Sequence, residues 1–279
     1  MLGKNGMLGN AVFSFLKQET SLNCYGTAKK NEKDSMVYEF TVDKDSINNL
    51  NYLFEKIKPD FVVNCIGKIR PINDNLSDYY EAIFVNSYFP KILAGICTLR
   101  KIRLIQISTD CVFDGKKGNY CVNEIPNEVN IYGLTKFIGE IYSSPHVTIR
   151  TSIIGIEKNS SRNLLGWFLN VPEKKIQGYS NVFWNGVTTL TLAKIIRKII
   201  VQDLNFANLL IQIAGEKISK YDLLHIFKII FRKEVEITKN DQIRSDKTLL
   251  PSPEQDKHFK ELIVPIKKQI AELKDFYNM

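Results

Sequence analysis

The sequence has no run of about 18 uninterrupted apolar residues, so no membrane-spanning segment is expected. Its start, Met1-Leu2-Gly3-Lys4-Asn5-Gly6, lacks the apolar stretch of a secretory leader, which makes the cytoplasm the expected location. Histidine is scarce. His146, His225 and His258 stand alone, without ligand spacing, so no metal is expected. Five cysteines, Cys24, Cys65, Cys97, Cys111 and Cys121, form no C-x-x-C pair and are odd in number. That argues for reduced, mostly buried thiols over a disulfide framework. Neither an internal repeat nor a low-complexity linker occurs. The net charge is +8, but the lysines are interleaved with acids and form no block. A dedicated nucleic-acid role is therefore not expected, while a mild positive bias suits an anionic, nucleotide-bearing ligand.

What the chain does have is alternation. Short apolar runs predict strands at Leu22–Tyr25, Met36–Phe40, Phe61–Cys65, Arg103–Ser108, Val147–Thr151 and Leu209–Ile213. Amphipathic stretches predict helices at Met7–Lys17, Ser46–Ile57, Asp78–Leu99, Ile131–Tyr142, Thr189–Val201 and Lys220–Phe231. Strand–helix alternation of this kind builds βαβ units, and hence an α/β fold around a doubly wound parallel sheet. The pattern becomes irregular after Thr151. We therefore expect a Rossmann-type domain over 1–152, with 185–214 returning to it, and a small substrate lobe from 153–184 and 215–279.

Gly3-Lys4-Asn5-Gly6-Met7-Leu8-Gly9 spells G-x-x-G-x-x-G and runs into a helix. Glycines permit close backbone approach, and a helix N-terminus offers unpaired N–H groups to a pyrophosphate. Only Met1 and Leu2 precede the loop, where a strand of about five residues belongs, so the first strand is expected to be largely missing from this chain. The next strand leads into Tyr25-Gly26-Thr27-Ala28-Lys29-Lys30, with no acid at its tip. An acid there would hold the ribose 2′-hydroxyl of NAD; two lysines favour the 2′-phosphate of NADP(H), with NAD(H) the alternative.

Tyr132-Gly133-Leu134-Thr135-Lys136 places a phenol and an ammonium at i and i+4 on one helix face. The ammonium is expected to lower the phenol's pKa, and such a tyrosine can protonate a ketone oxygen while hydride reaches carbon. The spacing recurs at Tyr25/Lys29 and Tyr52/Lys56, but only Tyr132 follows, by about 20 residues, a strand that ends in hydroxyls, Ser108-Thr109. Either hydroxyl could bond the substrate oxygen, or simply cap the strand end.

These motifs, in this order, resemble the dTDP-4-dehydrorhamnose reductase branch of the extended short-chain dehydrogenases. The resemblance rests on Gly3–Gly9, on Ser108-Thr109-Asp110-Cys111-Val112-Phe113-Asp114-Gly115 and on Tyr132–Lys136. Pro126-Asn127, Ile149-Arg150-Thr151-Ser152, Asn185-Gly186-Val187-Thr188, Ile213-Ala214-Gly215 and Ile218-Ser219-Lys220 extend it over nearly the whole chain. It implies reduction of a 4-keto-6-deoxyhexose on a nucleoside diphosphate, with NADPH or NADH as hydride donor, in the making of surface polysaccharide. By position it implies that Thr109 orients the carbonyl, Tyr132 is the general acid, and Lys136 binds the nicotinamide ribose and tunes the tyrosine. Gly3, Asn5, Gly6, Met7, Leu8, Gly9, Thr27, Lys29, Cys65, Ile66, Gly67 and Asn86 would line the cofactor. Ser108, Asp110, Cys111, Arg162 and Asn163 would face the nucleotide sugar. Two positions depart from the pattern: Cys111 stands where tyrosine is usual, and Ile153 where tryptophan is usual after Arg-Thr-Ser, so a related amino- or deoxy-sugar nucleotide is expected. Two other functions share the scaffold. One is an NAD-recycling epimerase or dehydratase. The other is a non-catalytic, NADP-binding regulatory subunit of another protein. A homodimer is also compatible with the amphipathic helices.

Overall fold

The computed structural model describes residues 1–30, 32–69, 75–157 and 163–279. In chain order the main elements of the first half are α1 (Met7–Leu16), β1 (Gly26–Ala28), β2 (Val37–Glu39), α2 (Ser46–Ile57), β3 (Phe61–Asn64), α3 (Leu76–Ile83), a π-helical turn (Phe84–Tyr88), α4 (Phe89–Leu99), β4 (Arg103–Thr109), α5 (Ile131–Ile138) and β5 (Val147–Thr151). The second half carries β6 (Ile153–Ile154), α6 (Leu164–Asn170), β7 (Lys175–Tyr179), β8 (Val182–Trp184), β9 (Val187–Thr188), α7 (Thr189–Val201), β10 (Leu210–Ile213), β11 (Ile218–Ser219), α8 (Lys220–Phe231), β12 (Glu236–Asn240), β13 (Ser245–Asp246), α9 (Pro253–His258) and α10 (Ile266–Phe276).

A parallel sheet in the order β10-β5-β4-β3 forms the centre, and β1 pairs with β2 in parallel beside it. Residues 1–3 run between the two. The Leu2 amide donates to the Val63 carbonyl at 2.9 Å, and the Thr27 amide donates to the Met1 carbonyl at 3.0 Å. Alternation along each strand then sorts the core into two layers. Val63, Ile105 and Ile149 face α1 and α7, whereas Val62 and Leu104 face α2 and α4. The helices answer with their own period: Leu8, Val12 and Leu16 on α1, and Leu192, Ile195, Ile196 and Ile199 on α7, make single apolar stripes. Burial of each such side chain contributes about 1.5–3 kcal/mol. This is the doubly wound α/β arrangement, with helices on both faces of a parallel sheet.

A second apolar cluster joins Leu165 and Phe168 of α6, Leu223, Leu224 and Phe227 of α8, and Ile266, Ile270 and Leu273 of α10. Around it lie the parallel pair β7–β12 and the three-stranded set β11-β8-β13.

Three expectations shift. The strand expected at Leu22–Tyr25 pairs only from Gly26, where its ladder with Val37 begins, while Leu22 and Cys24 pack on the core from an extended approach. The helix expected to reach Tyr142 stops at Ile138, because Glu140 turns inward to a buried ion pair. Of the cysteines only Cys97 is fully buried, and Cys121 is exposed. The helical run 76–99 is long and apolar enough to cross a bilayer, and 56% of its apolar window is buried inside the fold.

Candidate active site

The carboxyl ends of β3, β4 and β5 and the start of α1 converge on one side of the sheet, where ligands bind in open α/β folds. α1 begins at Gly6 with no side-chain cap and no acid in its first turn. By contrast, α5, α6, α7 and α8 are each capped by a side chain, from Asn130, Asn163, Thr188 and Ser219. The first N–H groups of α1 are thus left for an anion, and the loop is packed to allow its approach. A Cβ at Gly9 would stand 2.0 Å from the Gly3 carbonyl oxygen, so only glycine fits there. The Gly3 amide donates to Thr27 Oγ1 at 3.1 Å, fixing the loop to β1. Leu8 is buried in the core, Met7 is half-buried and Asn5 is exposed. These features fit the pyrophosphate of a dinucleotide.

Next to the loop, the segment after β3 holds Cys65, Ile66 and Gly67. Burial pushes the Cys65 thiol up to about 12. The Ile66 amide donates to Asn64 Oδ1 at 3.1 Å. Asn86, in the π-helical turn, uses its whole amide as a tie. Its Oδ1 accepts from the Lys68 amide at 2.8 Å, and its Nδ2 donates to the Lys68 carbonyl at 2.9 Å and to Thr135 Oγ1 at 3.1 Å. It thereby locks this segment to α5.

Lys136 and Tyr132 sit on α5. The Gly133 backbone passes so near the turn after β4 that a Cβ would lie 2.1 Å from the Cys111 carbonyl oxygen. That approach brings the Tyr132 hydroxyl within hydrogen-bond reach of Thr109. Thr109 Oγ1 donates to Asp110 Oδ1 at 3.1 Å and accepts from the Cys111 amide at 3.1 Å. Lys136 is buried and donates from Nζ to the Ile107 carbonyl at 2.6 Å. Burial lowers its pKa to about 8, against the opposing charge of Glu140. Burial, with the Cys111 and Asp110 charges adding to it, raises the Tyr132 phenol above its ordinary value. The expected lowering of the phenol by the lysine is thus corrected: burial sets the shift, Lys136 is not among the groups that move it, and the phenol stays protonated at neutral pH.

Ser108 is also corrected. Its hydroxyl donates to Glu140 Oε1 at 2.6 Å, and Arg150 donates to the same carboxylate from Nε at 2.9 Å and from Nη2 at 2.7 Å. Ser108 thus belongs to a buried network behind Lys136, and Thr109 alone of the pair reaches Tyr132. Asp110 is buried, with burial raising its carboxyl and the Thr109 and Ser152 hydroxyls opposing. The Cys111 thiol is pushed up to about 12 by burial and by Asp110. Asn163 caps α6, accepting from the Gly166 amide at 2.8 Å, and its Nδ2 has no partner among the described residues. Arg162 lies outside the described residues. Lys29 is exposed beyond the end of β1.

Four side chains escaped the sequence reading. Glu32 folds back over the glycine loop and pairs with Lys4 at 2.8 Å, supplying the acid that the tip of β1 lacks. Its signal was its place about 20 residues past the loop. Glu140 follows Lys136 by one further helical step of four. Lys220, at the start of α8, has its ammonium 5.6 Å from the Trp184 ring centre and within electrostatic range of Asp110. Trp184 donates from Nε1 to the Ser152 hydroxyl at 2.9 Å. Lys220 closes the Ile218-Ser219-Lys220 run that helped carry the resemblance, but nothing local gave it or Trp184 a place in the site.

The profile of the RmlD substrate binding domain matches residues 1–222. The chain belongs to this family. RmlD-family relatives and neighbours point in two directions. The chain is 30% identical over 141 residues to "methionine adenosyltransferase 2 subunit beta" of Bos taurus, a match that covers 50% of this chain and 40% of that protein. It is 28% identical over 139 residues to "dTDP-4-keto-6-deoxy-D-glucose reductase" of Streptomyces niveus, covering 50% of this chain and 44% of that one. The chain thus spans under half the length of these curated relatives in each match. Among solved structures, a dTDP-4-dehydrorhamnose reductase from Clostridium acetobutylicum superimposes over 100% of this chain and 98% of its own, with TM-score 0.77 at 22% identity. One from Bacillus anthracis in complex with NADP gives 0.75 at 18%, over 99% and 97%. At these identities the likeness is one of fold, and it bears out the Rossmann-type architecture expected from the alternation.

Proposed function

We propose that this RmlD-family protein uses NADP(H), with NAD(H) as the alternative, to reduce the keto group of a 4-keto-6-deoxy sugar nucleotide for surface polysaccharide. The observation that carries the reading is Tyr132 within hydrogen-bond reach of Thr109, with Lys136 buried one helical step further along α5 on the Ile107 carbonyl. The glycine loop and the first N–H groups of α1 would hold the pyrophosphate, and Thr27 and Lys4 stand at the adenosine end. Cys65, Ile66 and Gly67 would border the nicotinamide side. The bound nicotinamide supplies the hydride that reaches the carbonyl carbon.

The chain's own residues do the rest. Thr109 Oγ1 hydrogen-bonds the sugar's carbonyl oxygen and fixes its direction. Tyr132, kept neutral by burial, gives its phenolic proton to that oxygen as the C–O double bond becomes an alcohol, and its proton is restored from solvent. Lys136, as an ammonium, holds the ribose hydroxyls and stabilises the transient phenolate. Asp110 accepts from a sugar hydroxyl, and Lys220 adds positive charge to the lining for an anionic substrate. Asn163, whose Nδ2 has no partner among the described residues, would face the nucleotide.

The test is oxidation of NADPH, and separately NADH, with a panel of 4-keto-6-deoxy sugar nucleotides. Wild-type protein turns over at least one of them, and Tyr132→Phe lowers kcat by about 10²–10⁴-fold, the range for a lost general acid, while still binding cofactor. Equal turnover by both proteins would remove Tyr132 from the mechanism. The bovine relative's name favours a second reading, a nucleotide-binding subunit that partners a larger enzyme. Tight cofactor binding, no turnover on any sugar and co-purification with such an enzyme would establish it.

A further inference from the structure

Lys220 is the first residue of α8, half-buried, and burial holds its ammonium below the ordinary lysine range. Its place is unfavourable on three counts. Desolvation penalises the charge. The start of a helix is its positive end, which repels a cation. Among the described residues, moreover, Nζ has no hydrogen-bond acceptor. Its neighbours are the Trp184 ring, 5.6 Å away at the centre, and the Asp110 and Cys111 side chains within electrostatic range. The acid of the same turn, Asp222, is taken by the cap, where Ser219 Oγ donates to its Oδ2 at 2.6 Å.

The facing wall carries the opposite sign. Asp110 is buried, and its Oδ1 accepts from Thr109 Oγ1 at 3.1 Å. The Ser152 hydroxyl lies within hydrogen-bond reach of the same carboxyl and accepts from Trp184 Nε1 at 2.9 Å. Thr109, Asp110, Ser152 and Trp184 therefore make one continuous arc that starts at Tyr132 and ends under Lys220. Lys247 is also in range of Asp110, but its Nζ is held by Glu128 Oε2 at 2.7 Å. The Cys111 thiol, pushed up to about 12 by burial, stays neutral and is a weak acceptor.

Asp110 and Lys220 thus feel each other without touching. An atom that satisfies both must accept from an ammonium and donate to a carboxylate, and a hydroxyl does so with one oxygen. An ammonium in its place would attract Asp110 and repel Lys220, and a C–H would leave both short. Thr109 says which hydroxyl this is. Its proton rests on Asp110 in the empty site and turns to the keto oxygen when substrate binds, so Oδ1 loses its donor beside the carbonyl. The group that replaces it comes from a carbon next to C4. In a 4-keto-6-deoxyhexose those carbons are C5, which bears the methyl, and C3, which bears a hydroxyl.

We propose that Asp110 and Lys220 together recognise the C3 hydroxyl of the sugar and select against 3-deoxy and 3-amino sugars. An amino or deoxy change in the substrate then lies at C2. This rests on the reading that Thr109 holds the keto oxygen of a sugar nucleotide.

The test measures binding by calorimetry to the full chain with NADP⁺ present, so that no ketone is reduced. The probes are dTDP-4-keto-6-deoxyglucose and its 3-deoxy and 3-amino-3-deoxy analogues, near pH 6, where the amine is an ammonium. Any help that Lys220 gives the diphosphate is common to all three and cancels in their ratios. Wild-type protein prefers the hydroxyl probe to each analogue by about tenfold or more, the scale of one charge-assisted hydrogen bond. Lys220→Met, which keeps an apolar stem on Trp184, lowers both preferences by about tenfold. Asp110→Asn moves the hydroxyl-to-amino preference the other way, because the ammonium loses its counter-charge and keeps its repulsion. Opposite movements cannot come from a general loosening of the fold. Unchanged ratios in Lys220→Met, or the same direction in both variants, would overturn the C3 assignment while wild-type binding of the hydroxyl probe leaves the sugar-nucleotide reading standing. Failure of the wild type to bind any of the three would remove both.

Discussion

At the scale of single residues, the site is governed by desolvation. The phenol of Tyr132 and the ammonium of Lys136 are both pushed toward neutrality by burial, in opposite directions on the pH axis. For ketone reduction this has one consequence. The proton donor remains loaded across the usual range, and the charge that fades is that of Lys136. With its pKa lowered to about 8, Lys136 is an ammonium below that pH and neutral above it. The free-enzyme kcat/KM for reduction is therefore expected to fall as pH rises through about 8. Glu140 carries the negative charge that holds Lys136 up, so Glu140→Gln moves this limb to lower pH. A pH–rate profile flat to pH 10 in the wild type would contradict the assignment. That Thr109, Tyr132 and Lys136 would gather at the end of β4 was legible in the sequence because the motifs had the right order. Which hydroxyl of Ser108-Thr109 faces the site was not. Neighbours on a strand point to opposite sides, and only the buried Glu140–Arg150 pair reveals which side is which.

At the scale of elements, the long periodic helices and the central strands were readable because each buries one stripe or one face in a shared core. The short strands β6 to β9 and β11 to β13 were not, as two- to five-residue runs carry too little period to distinguish them from loop. Long-range ties hold them instead. Lys233, just past α8, closes the end of α6. Its Nζ donates to the carbonyls of Phe168, Leu169 and Val171 at 2.8, 3.0 and 2.7 Å. These are the carbonyls a helix leaves unpaired, and a cation there also meets the negative end of the helix dipole. Lys233→Met is expected to cost about 1.5–3 kcal/mol, the range for hydrogen bonds to a charged group, read from the urea unfolding midpoint. Lys233→Arg should recover most of it. An unchanged midpoint in the methionine variant would show that water satisfies those carbonyls equally well.

At the scale of the whole molecule, the sheet gathers the loop at α1, the segment after β3 and the end of β4 at the carboxyl ends of its strands. The second half supplies Trp184 and Lys220 from across the chain. Family membership fixes the scaffold, and the match to the Streptomyces reductase and to the bovine subunit covers only half of this chain in each case. Chemistry therefore has to be tested on the molecule itself. The most direct measurement supplies NADPH carrying deuterium at the transferable position of its nicotinamide, together with a 4-keto-6-deoxy sugar nucleotide, and follows the label by mass spectrometry. The account predicts deuterium at C4 of the sugar in the wild-type product and none with Tyr132→Phe that still binds NADPH. Bound cofactor with no label in any sugar, from wild-type protein, would contradict it.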